Sequence, residues 1–514
     1  MASPHPKSWF WLGSAAILVA AFLLRFADLG GKPIHADESV HAWKVGELLG
    51  SGDHRYDPAE YHGPTLHYLG AIVANLAGEN SSLSLQIRTL RLIPAAAGVA
   101  LVALTLCLAP MIGRAAALAA AGFTATSPLL VYYSRHFIQE PLFILFTAAA
   151  WLSAFLALKT GRLTWAVLAG ASFGLVIATK ETWVLVAAAG MVALAVVAWR
   201  RRSALAEAGV RRRIQKTTTA FAAACAVVTI AFYSAFFTDF GALFDFVRGL
   251  VIGAGRSAGG IHDKPWHAYF GMLVWNQSGG RTWTELPIII FAIVGGWFLL
   301  RRRPDAQTDD GGARFWGAYA VALAAAHTLI PYKIIWLACG FWHGFSVLAG
   351  WGAAELGRRN RSVLARGATV GAAIACFAFL GRAAWRAAVK LPAYPRNPYA
   401  YVTTSTDIER LHPRLEAIAK TMPEGRSMTI KVGLEEYWPL PWLLRDFPSA
   451  GFWLGPPTDW NADVLLVSPE VFSKIPATKQ EQLATEIFGL RDGVLVILAM
   501  DRAAWERTLP AAAP

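Results

Sequence analysis

The chain has 514 residues, 55% hydrophobic and only 16% charged, against about 45–50% and about 25% in a soluble globular chain. The apolar excess falls in blocks of roughly 20 residues, the length that crosses a bilayer as a helix, and this excludes a soluble protein. A net charge of +13 would suggest a nucleic-acid partner in a soluble chain. Here much of it sits in short loops between apolar blocks, where it is a topology signal and gives no reason to expect nucleic acid. The four cysteines, Cys107, Cys225, Cys339 and Cys376, lie inside apolar blocks without metal-type spacing and read as small buried hydrophobes.

The first apolar block, 9–26, has only Lys7 before it and no small-residue cleavage site before Arg25. It reads as an uncleaved transmembrane helix. About eleven spans follow from block length, at 9–26, 92–112, 115–133, 138–158, 163–179, 182–199, 217–237, 286–300, 314–331, 334–355 and 367–388. With the N-terminus inside, Arg200-Arg201-Arg202, Arg211-Arg212-Arg213, Arg301-Arg302-Arg303 and the group Arg358, Arg359, Arg361, Arg366 all fall on the cytoplasmic side, as the positive-inside rule requires. The other side receives the loop 27–91, turns near 135, 180 and 332, the loop 238–285 and the tail after 389. These segments gather most of the Asp, Glu and His residues, and polar groups at a membrane face mark the place of chemistry. The tail has no span-length apolar run. Bursts at 428–432, 464–467 and 493–499 read as strands, and 479–487 and 502–509 as helices. The expected organisation is a mainly α, polytopic transmembrane domain over 1–388 and a small extracytoplasmic α/β domain over 389–514.

The outer loop after the first span reads His35-Ala36-Asp37-Glu38-Ser39-Val40-His41-Ala42-Trp43. Asp37 at a helix start has an ordinary structural reading as an N-cap. An adjacent carboxylate pair just above the membrane is also well placed for a general base that takes a proton from an acceptor hydroxyl while a lipid phosphate leaves. The histidines His35, His41, His62 and His67 make a divalent metal a rival idea; such spacing alone is weak ground for one, and no metal ligand is assigned. Tyr61-His62-Gly63-Pro64 is a turn that either simply exposes His62 or presents it beside Asp37. Isolated cations stand at outer ends: Arg88 and Arg91, then Arg135, Lys180 beside Glu181, and Lys333. Each alone is an interface anchor; together they suit a polyprenyl phosphate, which Arg and Lys bind through charge-assisted hydrogen bonds. The stretch Gly259-Gly260-Ile261-His262-Asp263-Lys264-Pro265-Trp266 is either a lid over such a site, with His262 and Lys264 on substrate, or part of an aromatic belt. In the tail, Glu435-Glu436-Tyr437-Trp438-Pro439 fits a packed aromatic seam against the membrane domain better than a sugar surface.

A first span followed by Asp-Glu in a long outer loop resembles the GT-C superfamily, especially the protein O-mannosyltransferases and aminoarabinose lipid A transferases. That resemblance implies a catalytic carboxylate at Asp37 and Glu38. HADESVHA, YHGP, YYSRH, ATKE, GGIHDKPW, PYKIIW, RNPYAYVTTSTDIERL and YWPLPWLLRD are similar, over nearly the whole chain, to the flippase activity-associated membrane protein family linked to archaeal protein glycosylation. Its Asp-Glu corresponds to Asp37-Glu38 and its His-Gly-Pro to His62-Gly63-Pro64. Its two hallmark arginines correspond to Arg135 and to Arg91, with Arg88 competing for the latter.

The resulting expectation is a multi-pass cell-membrane glycosyltransferase with its site on the extracytoplasmic face. It takes sugar from a polyprenyl-phosphate donor to a glycan, lipid or protein acceptor. Asp37 and Glu38 are the catalytic pair, with substrate on His62, Arg91, Arg135, Lys180, His262, Lys264 and Lys333. No cofactor is assigned, a divalent metal staying open. Two rivals are a flippase component, which calls for charges within spans and an internal repeat, neither of which is seen, and a non-catalytic partner that holds a lipid-linked glycan.

Overall fold

The computed structural model describes residues 8–52, 54–59, 62–200, 202, 207–257, 259–260, 262–302 and 310–509. Tyr61, Arg201, Ile261 and Arg303, members of motifs quoted above, lie outside the described residues. Helix α1 (Ser8–Phe26) leads into two outer-loop helices, α2 (Ala36–Ser51) and α3 (Thr65–Leu76). Then come α4 (Ile87–Leu106), α5 (Ala109–Ile112), α6 (Arg114–Thr126), α7 (Pro128–Tyr133), α8 (Glu140–Thr160), α9 (Leu163–Ile177), α10 (Trp183–Arg200) and α11 (Ala208–Tyr233). After the outer helices α12 (Ala242–Ser257) and α13 (Ala268–Leu273) follow α14 (Leu286–Arg301), α15 (Gly311–Leu329), α16 (Cys339–Arg359) and α17 (Val363–Trp385).

Every expected span coincides with one or two of these helices. Among the described residues, 6 helices are long and apolar enough to cross a membrane: Ser8–Phe26, Ile87–Ile112, Glu140–Thr160, Trp183–Arg200, Gly209–Tyr233 and Val363–Lys390. Proline opens α7, α8 and α14, where its missing N–H costs nothing and its fixed φ suits the first turn. Glycines set the closest helix contacts. A Cβ on Gly352 of α16 would lie 2.2 Å from the Phe291 carbonyl of α14, and one on Gly170 of α9 would lie 2.1 Å from the Phe221 carbonyl of α11. In lipid there is no hydrophobic drive between helices, so small residues that let backbones approach hold such pairs together.

The loop 238–285 carries a small hairpin, β1 (Asn276–Ser278) with β2 (Arg281–Trp283). The tail carries a helix α18 (Leu411–Ala419) and five strands: β3 (Ile430–Gly433), β4 (Ala450–Trp453), β5 (Val464–Val467), β6 (Leu483–Arg491) and β7 (Val494–Asp501). Their order is β4-β3-β5-β7-β6, with β3 parallel to β4 and β5, and β7 antiparallel to β5 and β6. Val432, Val464, Leu466 and Leu498 pack with Leu411 and Leu415 of α18 in a core separate from that of the membrane helices.

The tail corrects one expected element. Only Ala477–Gln480 is helical in the segment read as a helix over 479–487, and the chain then runs as β6. The pairing decides this: Leu483 stands opposite Asp501 and Arg491 opposite Val494. Asp492-Gly493 closes a two-residue loop with Gly493 at φ 74°, a strong short-range hairpin signal. Strand β4 went unread altogether. The aromatic stretch near 438 does form a seam: Trp438 meets Trp43 of α2 edge-on at 6.4 Å, and Trp442 is buried in the cluster of α2, α3 and α4.

Candidate active site on the outer face

The site is built from the first turn of α2. His35 is the N-cap, and its Nδ1 accepts from the Asp37 amide at 3.1 Å. The Glu38 carboxylate in turn accepts from the His35 amide at 3.0 Å, completing a capping box. With Nδ1 accepting, a neutral His35 carries its proton on Nε2, and that N–H donates to the Tyr401 carbonyl at 3.0 Å. The N-cap reading of Asp37 is thereby corrected. His35 caps, and the Asp37 side chain turns to a small cavity lined by His35, Tyr133, His136, Ile138, Trp336, Tyr399 and Tyr401. No hydrogen-bond or ion-pair partner of its carboxylate occurs among the described residues. Its charge is felt by His41, Tyr133, His262 and Tyr401.

The neighbouring carboxylate has the opposite surroundings. Glu38 is fully buried. It accepts from Arg91 Nε and Nη2, each at 2.8 Å, and from the Phe137 amide at 2.9 Å, with Lys32 Nζ at 3.3 Å. Burial by itself would raise its pKa, but the Arg91 and Lys32 charges win and hold it well below the usual carboxylate range. Arg91 is as completely engaged. Beyond the two bonds to Glu38, its Nη1 donates to the Leu29 and Lys32 carbonyls and its Nη2 to the Pro33 carbonyl, at 2.8, 2.9 and 3.2 Å. A guanidinium has five N–H donors, and each has an acceptor. The expectation that Arg91 binds phosphate is corrected on this ground: it ties the loop 29–38 to α4 and has no donor left for a ligand.

Arg135 has a similar task. Its guanidinium donates to the carbonyls of Arg25 (3.1 Å), Ala27, Asp28 (3.0 Å) and Ala388 (3.1 Å). A cation placed on the last carbonyls of α1 is favoured by the helix dipole. Lys180 is buried and paired with Glu140. His62 is not in contact with Asp37 among the described residues; its Nδ1 meets Glu181 at 2.8 Å. Gly63 explains this docking: a Cβ there would lie 2.2 Å from the Ala178 carbonyl, and Thr65 Oγ1 meets Thr179 Oγ1 at 2.8 Å. The His-Gly-Pro and Thr-Lys-Glu motifs are two halves of one joint.

The lid motif and the Pro-Tyr-Lys turn also join. The Lys264 amide donates to the Pro331 carbonyl and the Lys333 amide to the His262 carbonyl. Lys264 Nζ donates to the Lys333 carbonyl at 2.9 Å and lies 4.6 Å from the Tyr401 ring centre. Lys333 Nζ donates to the Lys264 carbonyl at 3.1 Å. His262 Nδ1 stands 2.6 Å from the Tyr401 hydroxyl. Burial and then the Lys333 charge lower the Lys264 pKa. Lys264 and His262 thus meet at Tyr401, the residue that also holds His35, with Lys333 tied in through Lys264.

Several site residues escaped the sequence reading. Tyr399, Tyr401, Tyr133 and Trp336 sit in quoted motifs but carry no assigned role there. His54 and Gln139, beside His67 and His41, carry no local signal. A His412, Glu416 and Asp446 cluster in the tail has metal-type spacing, but Arg426 already stands 2.9 Å from Glu416 and 3.7 Å from Asp446. The Arg426 side chain is 56% exposed there, so these donors form a candidate acidic metal site with a cationic neighbour.

A family model described as dolichyl-phosphate-mannose-protein mannosyltransferase matches residues 61–210. No curated protein sequence matches the chain. Among solved structures, ArnT from Cupriavidus metallidurans bound to undecaprenyl phosphate is similar with a TM-score of 0.61 at 14% identity, over 97% of this chain and 99% of that one. The Archaeoglobus fulgidus oligosaccharyltransferase tethered to an acceptor peptide gives 0.61 at 13% identity, over 88% and 64%. The archaeal oligosaccharyltransferase AglB from the same organism, with an inhibitory peptide and a dolichol-phosphate, gives 0.56 at 12%, over 99% and 76%. With its apolar helices and this likeness over nearly its whole length, the chain is a multi-pass membrane protein of the GT-C glycosyltransferase fold.

Proposed function

We propose that the chain is a membrane glycosyltransferase that moves a sugar from a polyprenyl-phosphate donor to an extracytoplasmic glycan, lipid or protein acceptor. The observation that carries this reading is the Asp37 carboxylate. Glu38, Glu140 and Glu181 around it are each held by a cation or a histidine, while Asp37 faces a cavity and has no partner among the described residues. A base must be able to take up a proton, and of these four carboxylates Asp37 alone is left to do so. The family match and the lipid phosphates bound to ArnT and AglB supply the substrate class.

In this mechanism Asp37 takes the proton of the acceptor nucleophile. The nucleophile bonds to the anomeric carbon as the bond from that carbon to the phosphate oxygen breaks. The lipid phosphate leaves with the electron pair. His262, Lys264 and Lys333 stabilise the charge that develops on it; Arg135, Lys180 and His62 shape the surrounding wall. Glu38 and Arg91 fix Asp37 rather than touch substrate. We assign transfer to residues 1–388 in a cytoplasmic membrane, with the outer segment 389–514 contributing Tyr399 and Tyr401 to the cavity wall.

The test is transfer of radiolabelled sugar from host lipid extract in membranes that carry wild type or Asp37→Asn. Label should reach an acceptor with wild type and fall by about 100-fold or more in the variant. Equal transfer by both removes Asp37 as the base. Lipid-linked sugar bound equally by both, with no transfer by either, favours the holding role over catalysis.

A further inference from the structure

Most cations on the side of the Asp37 cavity turn inward on carboxylates or carbonyls. One group at the outer end of α17 does so only in part. Arg382 stands in the last turn of α17, and Arg386 follows it by four residues. The hairpin of β1 and β2 brings Arg281 to them. Arg386 Nη2 donates to the Thr282 carbonyl of β2 at 2.7 Å, and its guanidinium lies 4.7 Å from the centre of the Trp283 ring. Arg281 lies 5.5 Å from the centre of the Tyr394 ring. Gly279 lets the hairpin close on the segment that carries Arg396: a Cβ there would lie 2.9 Å from Arg396 Cβ. The charges of Arg281 and Arg382 both reach Arg386. Four arginines from three segments thus share one patch.

None of the four has an ion-pair partner among the described residues. Arg382 and Arg396 are exposed and make no side-chain hydrogen bond there. Arg281 gives one bond to the Gly279 carbonyl at 3.2 Å, and Arg386 Nε is buried without an acceptor. The dipole of α17 favours a cation at its last turn, which accounts for Arg382 and Arg386 but not for Arg281 and Arg396. Like charges gathered this closely repel one another, and the outer side of a membrane protein is the side poor in arginine. An anion from outside the chain would relieve the repulsion.

The surroundings select the kind of anion. Only 11% of the α17 span is buried inside the protein. Its exposed surface is apolar through Val370, Ile374 and Phe379 and ends at Trp385, a residue type that marks headgroup depth. The patch therefore begins where a lipid-facing helix ends. Phosphate oxygens accept both N–H groups of a guanidinium fork, and anionic headgroups draw clustered Lys and Arg at a membrane surface. We infer that Arg281, Arg382, Arg386 and Arg396 bind the phosphate of an anionic phospholipid in the outer leaflet. None of the four lines the Asp37 cavity, so the site stands whether or not Asp37 is a base.

The test reads lipid at this place alone. In a full chain whose four cysteines have been replaced, Phe379→Cys, three residues before Arg382, carries a bimane fluorophore. The chain is reconstituted in phosphatidylcholine vesicles that contain either phosphatidylglycerol or phosphatidylcholine with a spin label high on one acyl chain. Phosphatidylglycerol should quench at about a tenfold lower content than phosphatidylcholine. Arg281→Gln combined with Arg382→Gln should bring the two lipids together at an unchanged melting temperature. Equal quenching by the two lipids beside the four arginines, or a preference that survives the double variant, overturns the site. If the double variant does not fold, the salt response of the labelled parent decides. At about 1 M salt, where screening acts over about 3 Å, the preference should disappear; a preference that salt leaves unchanged overturns the site. Unlabelled phosphatidylglycerol should displace the quencher. Inorganic phosphate that displaces it at the same concentration overturns the lipid assignment in favour of a free anion.

Discussion

Two adjacent carboxylates in one turn of helix have opposite fates, and the difference is the work of single residues around them. Glu38 accepts both forks of Arg91 in a site closed to solvent. Removing one partner of a buried pair leaves an uncompensated charge and costs about 3–5 kcal/mol. Glu38→Gln and Arg91→Met are therefore expected to lower the melting temperature of the detergent-purified protein sharply, whereas Asp37→Asn, at a carboxylate without partners among the described residues, should leave it within the range of a neutral change, about ±0.5 kcal/mol. Equal melting for Glu38→Gln and wild type would show that the pair is not a structural keystone. The Glu181 carboxyl adds a pH signature. Burial would raise its pKa, but the neighbouring His62, by charge and hydrogen bond, and Lys180 bring it from 4.5 down to about 2. In the folded chain it stays charged where the unfolded chain takes a proton, so its contribution is full above pH 4.5 and is lost as the pH falls from 4.5 to 2. A melting profile should bend downward in that window, and Glu181→Gln should flatten the bend. The Asp-Glu pair was visible in the sequence as chemistry, but which member is free was not. That depends on Arg91, 53 residues away, and on backbone carbonyls that no motif encodes. Backbone carbonyls likewise take every Arg91 donor that Glu38 leaves, and others anchor Arg135 to the end of α1 and to Ala388.

Elements were legible where burial is periodic and long, and illegible where pairing decides. The apolar blocks that form α1, α8 and α17 carry enough length to be read alone. Leu483–Arg491 does not: its residues tolerate a helix, and only the ladder to β7 makes them a strand. Of the outer helices, α2 was legible only at its start, through Asp37, and α3 was not read. Each carries one buried histidine, and the hydrophobic period is broken where His41 and His67 meet between them. Among the membrane helices, contact depends on what the glycines leave out. A side chain at Gly352 of α16 would run into the Phe291 carbonyl of α14 at 2.2 Å, and backbone cannot yield as a flexible side chain can. Gly352→Leu is expected to cost about 1–3 kcal/mol by overpacking. Gly371 of α17, with nothing within 4 Å of its Cβ position, should accept the same change. Thermal unfolding of the two variants side by side checks this; equal destabilisation would mean that helix propensity, not close approach, governs both sites.

At the scale of the whole molecule, the two ends differ in kind. One end holds Arg202, Arg211, Arg212, Arg213, Arg301, Arg302, Arg358 and Arg359 among the described residues, with Glu355 gripping the last two at 2.7 and 2.8 Å. The other end holds Asp37, the two interlocked motifs beside it and the five-stranded sheet. Its cations are almost all turned inward on carboxylates or carbonyls. Such asymmetry orients a polytopic chain, because arginine-rich short loops stay on the cytoplasmic side. It also bears on mechanism. The Asp37 cavity draws its wall from the start of α2, from the end of α7 and the residues after it, from Trp336 and from Tyr399 and Tyr401 beyond the last span, so a single orientation places all of its parts on one side. This can be measured in whole cells. In a chain whose four cysteines have been replaced by serine or alanine, Glu435→Cys should react with a membrane-impermeant maleimide from outside. Arg212→Cys should react only after the membrane is opened. Reversed labelling would put the Asp37 cavity at the cytoplasmic face. A lipid-linked donor would then have to be used before it is flipped, and the acceptor would have to be a cytoplasmic molecule.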